Sequence, residues 1–265
     1  MSFRNTLIGV AGTLALTVGM PLSAIAASTV VVVPSNQQGW STDDTRPGGA
    51  VNFVVDSTAP SGSGALQLTT TATTTAKAQY MHSASDALAS VTDFSYYTKQ
   101  NSAPFPGADA SYQIPVFLTG TSGFTTLVFE PYQNPLQGAV IPGVWQKWNV
   151  ANGLFWSTRS VTCTNGTVIG TPGGPATYTL AQIETLCPSA VTLGFGLNIG
   201  SNNPAYDVEA DLVTYNGTAY NFEPTLTPTS KDVCKDGGWS VFNTPTFKNQ
   251  GDCVSYVASN GKSNK

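Results

Sequence analysis

Tyr206-Asp-Val-Glu-Ala-Asp-Leu-Val-Thr-Tyr215, then Asn216-Gly217, then Thr218-Ala-Tyr-Asn-Phe222 is the stretch that decides the fold. Two strand-like runs flank an Asn-Gly pair. A type I′ turn needs two residues that tolerate positive φ, so the pair predicts a tight β-hairpin. Side chains alternate faces along a strand. Val208, Ala210 and Leu212 therefore share one face, and Asp207, Glu209 and Asp211 share the other. The first face is expected in the core and the second in water.

Three carboxylates in a row on one strand face also admit two functional readings. Clustered carboxylates suit a hard cation, so Asp207, Glu209 and Asp211 are the candidate ligands of a structural calcium ion. Flexible side chains could also bring a pair of them to the ~5–5.5 Å of a retaining glycosidase. The row resembles the Glu-x-Asp-x-Glu strand of laminarinase-type hydrolases, which are β-sandwiches as well. The acids are inverted here. The outer positions that do the acid and nucleophile work in that family are the shorter Asp207 and Asp211, which argues against catalysis.

The chain has 265 residues, enough for one large β-domain and a small appendage. Charged residues make up 10%, well below the usual quarter, with Thr, Ser, Asn and Gly in their place. No basic stripe is present, so a nucleic-acid partner is excluded. Hydrophobic residues at 41% exclude a disordered chain. Residues 1–26 read as a cleaved export signal: Arg4, an apolar run from Leu7 to Met20, and a small-x-small site at Ala24-Ile-Ala26. That run is too short and glycine-broken to span a membrane, so no span is expected in the mature chain. The expected location is secreted, extracellular or cell-surface. Residues 27–230 hold 5 basic and 12 acidic residues, and residues 231–265 hold 5 and 3. This charge break suggests two modules.

Four cysteines in an exported chain read as two disulfides with three possible connectivities. Proximity and the module boundary favour Cys163–Cys187 and Cys234–Cys253. The spacings are too wide for a zinc ribbon. The single histidine, His82, reads as a lone surface residue rather than a member of a triad.

Strands are expected at Thr29–Pro34, Val51–Val55, Ala65–Lys77, Ala76–Met81 and Asp93–Lys99, with Tyr96 and Tyr97 on opposite faces. Tyr112–Leu118 and Thr125–Glu130 read as a hairpin, and Pro115 marks an edge strand or a bulge. Thr179-Leu-Ala-Gln182 is a capping-box pattern opening a short helix that stops at Pro188. Glu130 and Tyr132 lie in a Pro-bounded loop. Trp145 and Trp148 fall on opposite faces of one strand. After the Asn152-Gly153 turn, Phe155 is expected in the core and Trp156 outward.

Trp145-Gln-Lys-Trp-Asn149, Gly153-Leu-Phe-Trp-Ser-Thr-Arg159, the cysteine pair, Leu193-Gly-Phe-Gly-Leu-Asn-Ile-Gly200 and Tyr220-Asn-Phe-Glu-Pro224 together resemble a group of exported bacterial jelly-roll proteins. These are similar in outline to carbohydrate-binding modules and concanavalin-like lectins. The tail, Lys231-Asp-Val-Cys-Lys-Asp-Gly-Gly-Trp239 with Phe247-Lys-Asn-Gln-Gly-Asp-Cys-Val-Ser-Tyr-Val257, resembles segments that end many exported bacterial proteins of unknown function. The resemblance implies an all-β, two-sheet antiparallel sandwich of jelly-roll type with one short helix. Its expected limits are 27–224, followed by a linker at 225–230 and a disulfide-stapled module at 231–265. The expected function is non-enzymatic binding of a polysaccharide or cell-envelope glycan. Trp156, Trp145, Tyr132 and Glu130 are the candidate ligand residues, with no catalytic residues and no cofactor apart from the calcium considered above. A glycan hydrolase or lyase, or a structural adhesion protein, is the alternative.

Overall fold

The computed structural model describes residues 28–261; the export signal expected over 1–26 lies outside the described residues. In chain order the strands are β1 (Ser28–Val32), β2 (Trp40–Ser41), β3 (Gly49–Val55), β4 (Gly64–Thr70), β5 (Lys77–Ser83), β6 (Phe94–Ser102), β7 (Ser111–Phe117), β8 (Phe124–Phe129), β9 (Gln146–Asn149), β10 (Leu154–Ser157), β11 (Val161–Thr162), β12 (Val168–Ile169) and β13 (Tyr178–Thr179). Helix α1 (Leu180–Leu186) follows, then β14 (Val191–Thr192), β15 (Gly194–Gly200), β16 (Asp207–Tyr215), β17 (Thr218–Phe222) and helix α2 (Gln250–Ala258).

Two sheets pack face to face as a jelly-roll sandwich. The first runs β1-β17-β16-β4-β3 and extends from β16 through β6 to β9. The second runs β13-β10-β8-β7-β15-β5-β2, with β14 also on β7. Leu66, Leu68, Tyr96 and Val208 of the first sheet meet Tyr80, Tyr112, Phe129, Phe155 and Phe195 of the second, all essentially without solvent contact. The pairing is antiparallel except between β1 and β17, which run parallel. That exception departs from the all-antiparallel expectation.

The β16–β17 hairpin closes as expected. Tyr215 faces Thr218, and Asn216 and Gly217 both have positive φ, at 48° and 80°. The alternation along β16 breaks at Leu212. Asp211 faces Tyr97 and Thr214 faces Ser95, so Leu212 and Val213 together oppose Tyr96. This is a β-bulge, with Leu212 at φ 46°. Val213 takes the core position instead of Leu212, which stays half-buried. Pro115 sits at a second irregularity. Thr192 faces Val116 and Gly196 faces Gln113, leaving three residues of one strand against two of the other, where a missing N–H does least harm. The threonine tract leaves the sheet sooner than expected, because β4 ends at Thr70.

Helix α1 opens with the expected capping box. Thr179 Oγ1 accepts from the Gln182 N–H at 3.2 Å, and the Thr179 N–H donates to Gln182 Oε1 at 2.9 Å. The Cys163–Cys187 disulfide ties the end of this helix to the chain leaving β11. Cys234 pairs with Cys253 in the tail. Around that second bridge gather Trp239, Phe242, Phe247 and Tyr256. Helix α2 corrects the expectation of one short helix. Its start could have been read from Asn249, whose side chain accepts from the Asp252 N–H at 3.0 Å. The 225–230 segment is held by the tail: the Leu226 N–H donates to Asn243 Oδ1, and Asn243 Nδ2 donates to the Pro224 carbonyl.

Candidate functional site

The outer face of the second sheet carries a groove. The register aligns one row across six strands: Ser41, Met81, Gly196, Gln113, Val128 and Trp156. All point away from the core, because their neighbours Tyr80, Leu197, Tyr112, Leu127 and Phe155 fill it. At the usual strand spacing the row is about 24 Å across. A second row, Gln79, Asn198 and Ser111, runs beside it. Asn198 Nδ2 donates to Gln79 Oε1 at 3.0 Å, and Ser111 Oγ donates to the Asn198 carbonyl at 3.0 Å. These bonds hold amide and hydroxyl groups in a line along the floor.

The floor is low because β15 presents Gly194, Gly196, Asn198 and Gly200 outward. A Cβ at Gly196 would come within 2.2 Å of the Tyr80 carbonyl, so only glycine lets β5 and β15 approach this closely. The glycines were legible in the sequence, in Leu193-Gly-Phe-Gly-Leu-Asn-Ile-Gly200. Their alternation with Phe195, Leu197 and Ile199, which are core residues, is the signal of a shallow groove floor.

Two depressions make up the groove and share Gln113, Trp156, Asn198, Gly200 and Ser201. One is an open trough of about 630 Å³ bordered by Met81, Pro115, Thr126 and residues of both charges: Asp43, Asp44, Arg46, Lys77 and Arg159. The other is a pit of about 360 Å³ at the Trp156 end. Phe105 and Tyr132 stand edge-to-face at its rim, with ring centroids 5.3 Å apart. Its far wall is the loop through Ser201, Asn202 and Asn203. That loop holds three non-glycine residues at positive φ, Ser201, Asn202 and Ala205. Such strained backbone gathers where a binding surface is being shaped.

Three of the four candidate ligand residues meet in the pit: Trp156, Tyr132 and Glu130. Trp156 is half-buried, and its Nε1–H donates to Glu130 Oε2 at 2.8 Å. Gln133 Nε2 donates to the same oxygen at 2.6 Å. The indole edge is thus fixed, and the half-buried ring lines both depressions. The fourth candidate, Trp145, is elsewhere. It lies on the outer face of the first sheet, where its Nε1–H donates to Asp56 Oδ2 at 3.0 Å and Lys99 Nζ sits 5.4 Å from its ring centroid. Trp148 is core, donating to Thr98 Oγ1 at 2.7 Å.

Sequence reasoning missed Asp109. It lies in the loop before β7, fully inside the protein yet on the pit wall. The Thr98 hydroxyl donates to its Oδ2 at 2.6 Å and the Ala110 N–H to its Oδ1 at 2.8 Å. Burial pushes its pKa up to about 7, against the lowering effect of those two bonds. Nothing in Ala108-Asp-Ala110 announces a buried acid. The apolar neighbours are the faint trace of it.

The acidic row on β16 is not the wet face expected. Glu209 and Asp211 are buried. Lys99 faces Glu209 directly across β6 and β16 and pairs with it at 2.8 Å and with Asp56 as well. Asn101 Nδ2 donates to Glu209 and to Asp207, and Gln67 Nε2 donates to Asp207. Asp211 turns in at the bulge and accepts the Phe222 and Ser61 backbone N–H groups. An ammonium already occupies the place between the acids where a cation would sit. Among the described residues no group of three or more acidic, histidine or cysteine side chains could hold a metal ion. His82 is also not a lone surface residue. Its ring stacks on Phe195 with centroids 5.0 Å apart, and it packs against Trp40 and Tyr220.

No family model and no curated protein matches this chain. Among solved structures, it is similar to a family 11 carbohydrate-binding module from Clostridium thermocellum in complex with a β-1,3-1,4-mixed-linked tetrasaccharide. The TM-score is 0.39 and the identity 12%, over 71% of this chain and 91% of that one. The family 11 module of the cellulosomal cellulase Lic26A-Cel5E of the same organism matches with TM-score 0.36 and 12% identity, over 70% and 89%. An arabinose-bound α-L-arabinofuranosidase matches with TM-score 0.34 and 8% identity, over 69% of this chain and 23% of its own. No helix among the described residues is long and apolar enough to cross a membrane.

Proposed function

We propose that the protein is an exported, non-enzymatic glycan-binding protein that holds a polysaccharide in the groove of the second sheet. The observation that carries this reading is the aligned outward row ending at Trp156, beside the fixed amides of Gln79, Asn198 and Gln113. A sugar ring offers an apolar face and a rim of hydroxyls. An indole face matches the first and a line of amides and hydroxyls the second. A glycine floor lets the ring approach the sheet. The groove is also what distinguishes this reading from a structural adhesion protein, which would present a flat face. Export is supported by the reading of residues 1–26 and by the two disulfides. We place the binding unit at 27–224 and read 231–265 as a separate stapled module.

One observation favours the enzymatic alternative. Asp109 and Glu130 line the same pit, and the first has a raised pKa. A hydrolase would use such a pair as acid and base. The test is affinity electrophoresis of the mature protein through gels containing a panel of plant and cell-wall polysaccharides, followed by a reducing-sugar assay on any that retard it. Retardation without release of sugar, lost in Trp156→Ala, supports the binding reading. Sugar release lost in Glu130→Gln overturns it in favour of hydrolysis, and no retardation by any polysaccharide removes the groove's function.

A further inference from the structure

The pit differs in chemistry from the trough it joins. Its charged lining residues are Asp109 and Glu130; no lysine, arginine or histidine lines it among the described residues. Four aromatic rings surround them: Phe105, Tyr132, Trp156 and Tyr206. The trough, by contrast, carries acids and bases together.

Tyr206 is the telling member. It is 3% exposed and lines the pit, and the hydrogen bonds it makes among the described residues run through its backbone, to Thr70. Burial, and then the nearby charges of Asp109, Glu130 and Tyr132, keep its hydroxyl protonated. A phenol at the wall of the pit, beside two acids, offers its oxygen lone pairs to a donor placed there. An anion is excluded from such a place by charge. A hydrated metal ion is poorly served, because calcium takes six to eight oxygen ligands and aromatic walls provide none. A primary ammonium fits each feature. It has three N–H donors for Glu130, Asp109 and the Tyr206 hydroxyl. Its charge is attracted by the carboxylates in a site of low dielectric and by the faces of the surrounding rings.

Resting on the groove reading above, we propose that the pit takes the protonated amine of an amino-sugar unit at the end of a glycan chain that lies in the trough. The glycan class is one with free amines, not the N-acetylated form, whose neutral amide offers no charge to Glu130 or to the ionised form of Asp109.

The experiment is titration calorimetry of the mature protein with three β-linked tetrasaccharides: of glucosamine, of N-acetylglucosamine and of glucose. The glucosamine tetramer is expected to bind about tenfold tighter, or more, than either neutral one. Glu130→Gln should bring that ratio close to one and Asp109→Asn, which removes an acid only partly ionised near neutral pH, should lower it, with folding checked by circular dichroism. Two variants are used so that a folding failure in one leaves the other to decide. A ratio near one in the unmodified protein, or a ratio unchanged in both variants, overturns the proposal. Displacement of the glucosamine tetramer by calcium chloride alone, at constant ionic strength, overturns it in favour of a metal. Equal binding of all three tetramers removes the amine specificity and leaves the groove reading intact. Binding of none removes both.

Discussion

Phe155 and Trp156 are neighbours on β10 with opposite fates, and the pair separates stability from binding. Phe155 has no solvent exposure and packs on Phe129, with ring centroids 6.1 Å apart. Truncating a fully buried phenylalanine to alanine costs about 3–5 kcal/mol. In a domain of this size each kcal/mol lowers the melting temperature by about 2–4 °C, so Phe155→Ala should melt roughly 6–20 °C lower. Trp156 points outward and is half-buried. Its loss removes one hydrogen bond to Glu130, but Gln133 still serves that carboxylate. We expect about 1–2 kcal/mol from a bond to a charged, part-exposed partner, or roughly 2–8 °C. Binding should move the other way. Removing an anchoring tryptophan from an interface commonly costs 2 kcal/mol or more, about thirtyfold in affinity. The assays are thermal melts by circular dichroism and retardation in polysaccharide gels at a temperature where both variants are folded. Trp156→Phe, which keeps a ring but loses the N–H, should fall between wild type and Trp156→Ala in retardation. If Trp156→Ala melts as low as Phe155→Ala, or if the folded Phe155 variant loses retardation as completely, the division of β10 into a core face and a ligand face is wrong.

Lys99→Met should destabilise by about 2–3 kcal/mol in urea unfolding, because Asp56 and Glu209 keep side chains about one-tenth exposed and lose their cation. Adding Glu209→Gln and Asp56→Asn should recover most of that loss, and an additive further loss would sink the ion-pair account. Asp109 has a folded pKa near 7, above its unfolded value near 4. The native state therefore holds the extra proton, and stability should fall as pH rises from about 4 to 7, by on the order of 4 kcal/mol at most. Asp109→Asn mimics the protonated acid, so the stability difference between variant and wild type should grow in the variant's favour across that window; a difference independent of pH would refute the assignment. In the tail, bridging Cys234 to Cys253 closes a loop worth about 3 kcal/mol in the chain-entropy model. Under reducing conditions limited proteolysis should therefore remove 231–261 first, and simultaneous loss of the sandwich would show that the two do not behave as separate modules.

What the sequence made legible is what one strand or one turn encodes by itself. Alternation placed Phe155 inside and Trp156 outside, Asn216-Gly217 closed the hairpin, and Thr179 with Gln182 opened α1. Each of these depends on residues a few positions apart. The misreadings share the opposite property. Asp207, Glu209 and Asp211 looked solvated because nothing nearby in sequence neutralises them. The neutralising residue is Lys99, which reaches Glu209 through the β6–β16 register across more than a hundred residues. Trp145 looked like a ligand residue because its strand has two faces. Which face is the groove depends on the sheet that strand joins, and Gln146–Asn149 pairs with β6 in the first sheet. The pit is the extreme case, drawing on the chain near positions 105–109, 130–132, 156 and 201–206.

This contrast bears on where function lies in the molecule. The acidic row is the loudest chemical signal in the sequence, and the fold uses it to hold β16, β6 and the Asp56 loop together. The Gly-x-Gly-x-Asn-x-Gly alternation of β15 carries no charge and no nucleophile, and it shapes the floor on which the groove rests. A strand that must pack a core on one face cannot also raise large side chains on the other without closing the groove. Small residues on the outer face of a central strand, opposite an unbroken apolar inner face, are therefore a physical mark of a binding sheet. By that criterion β15 and Trp156 together, rather than the carboxylates of β16, define the surface on which the ligand is to be sought.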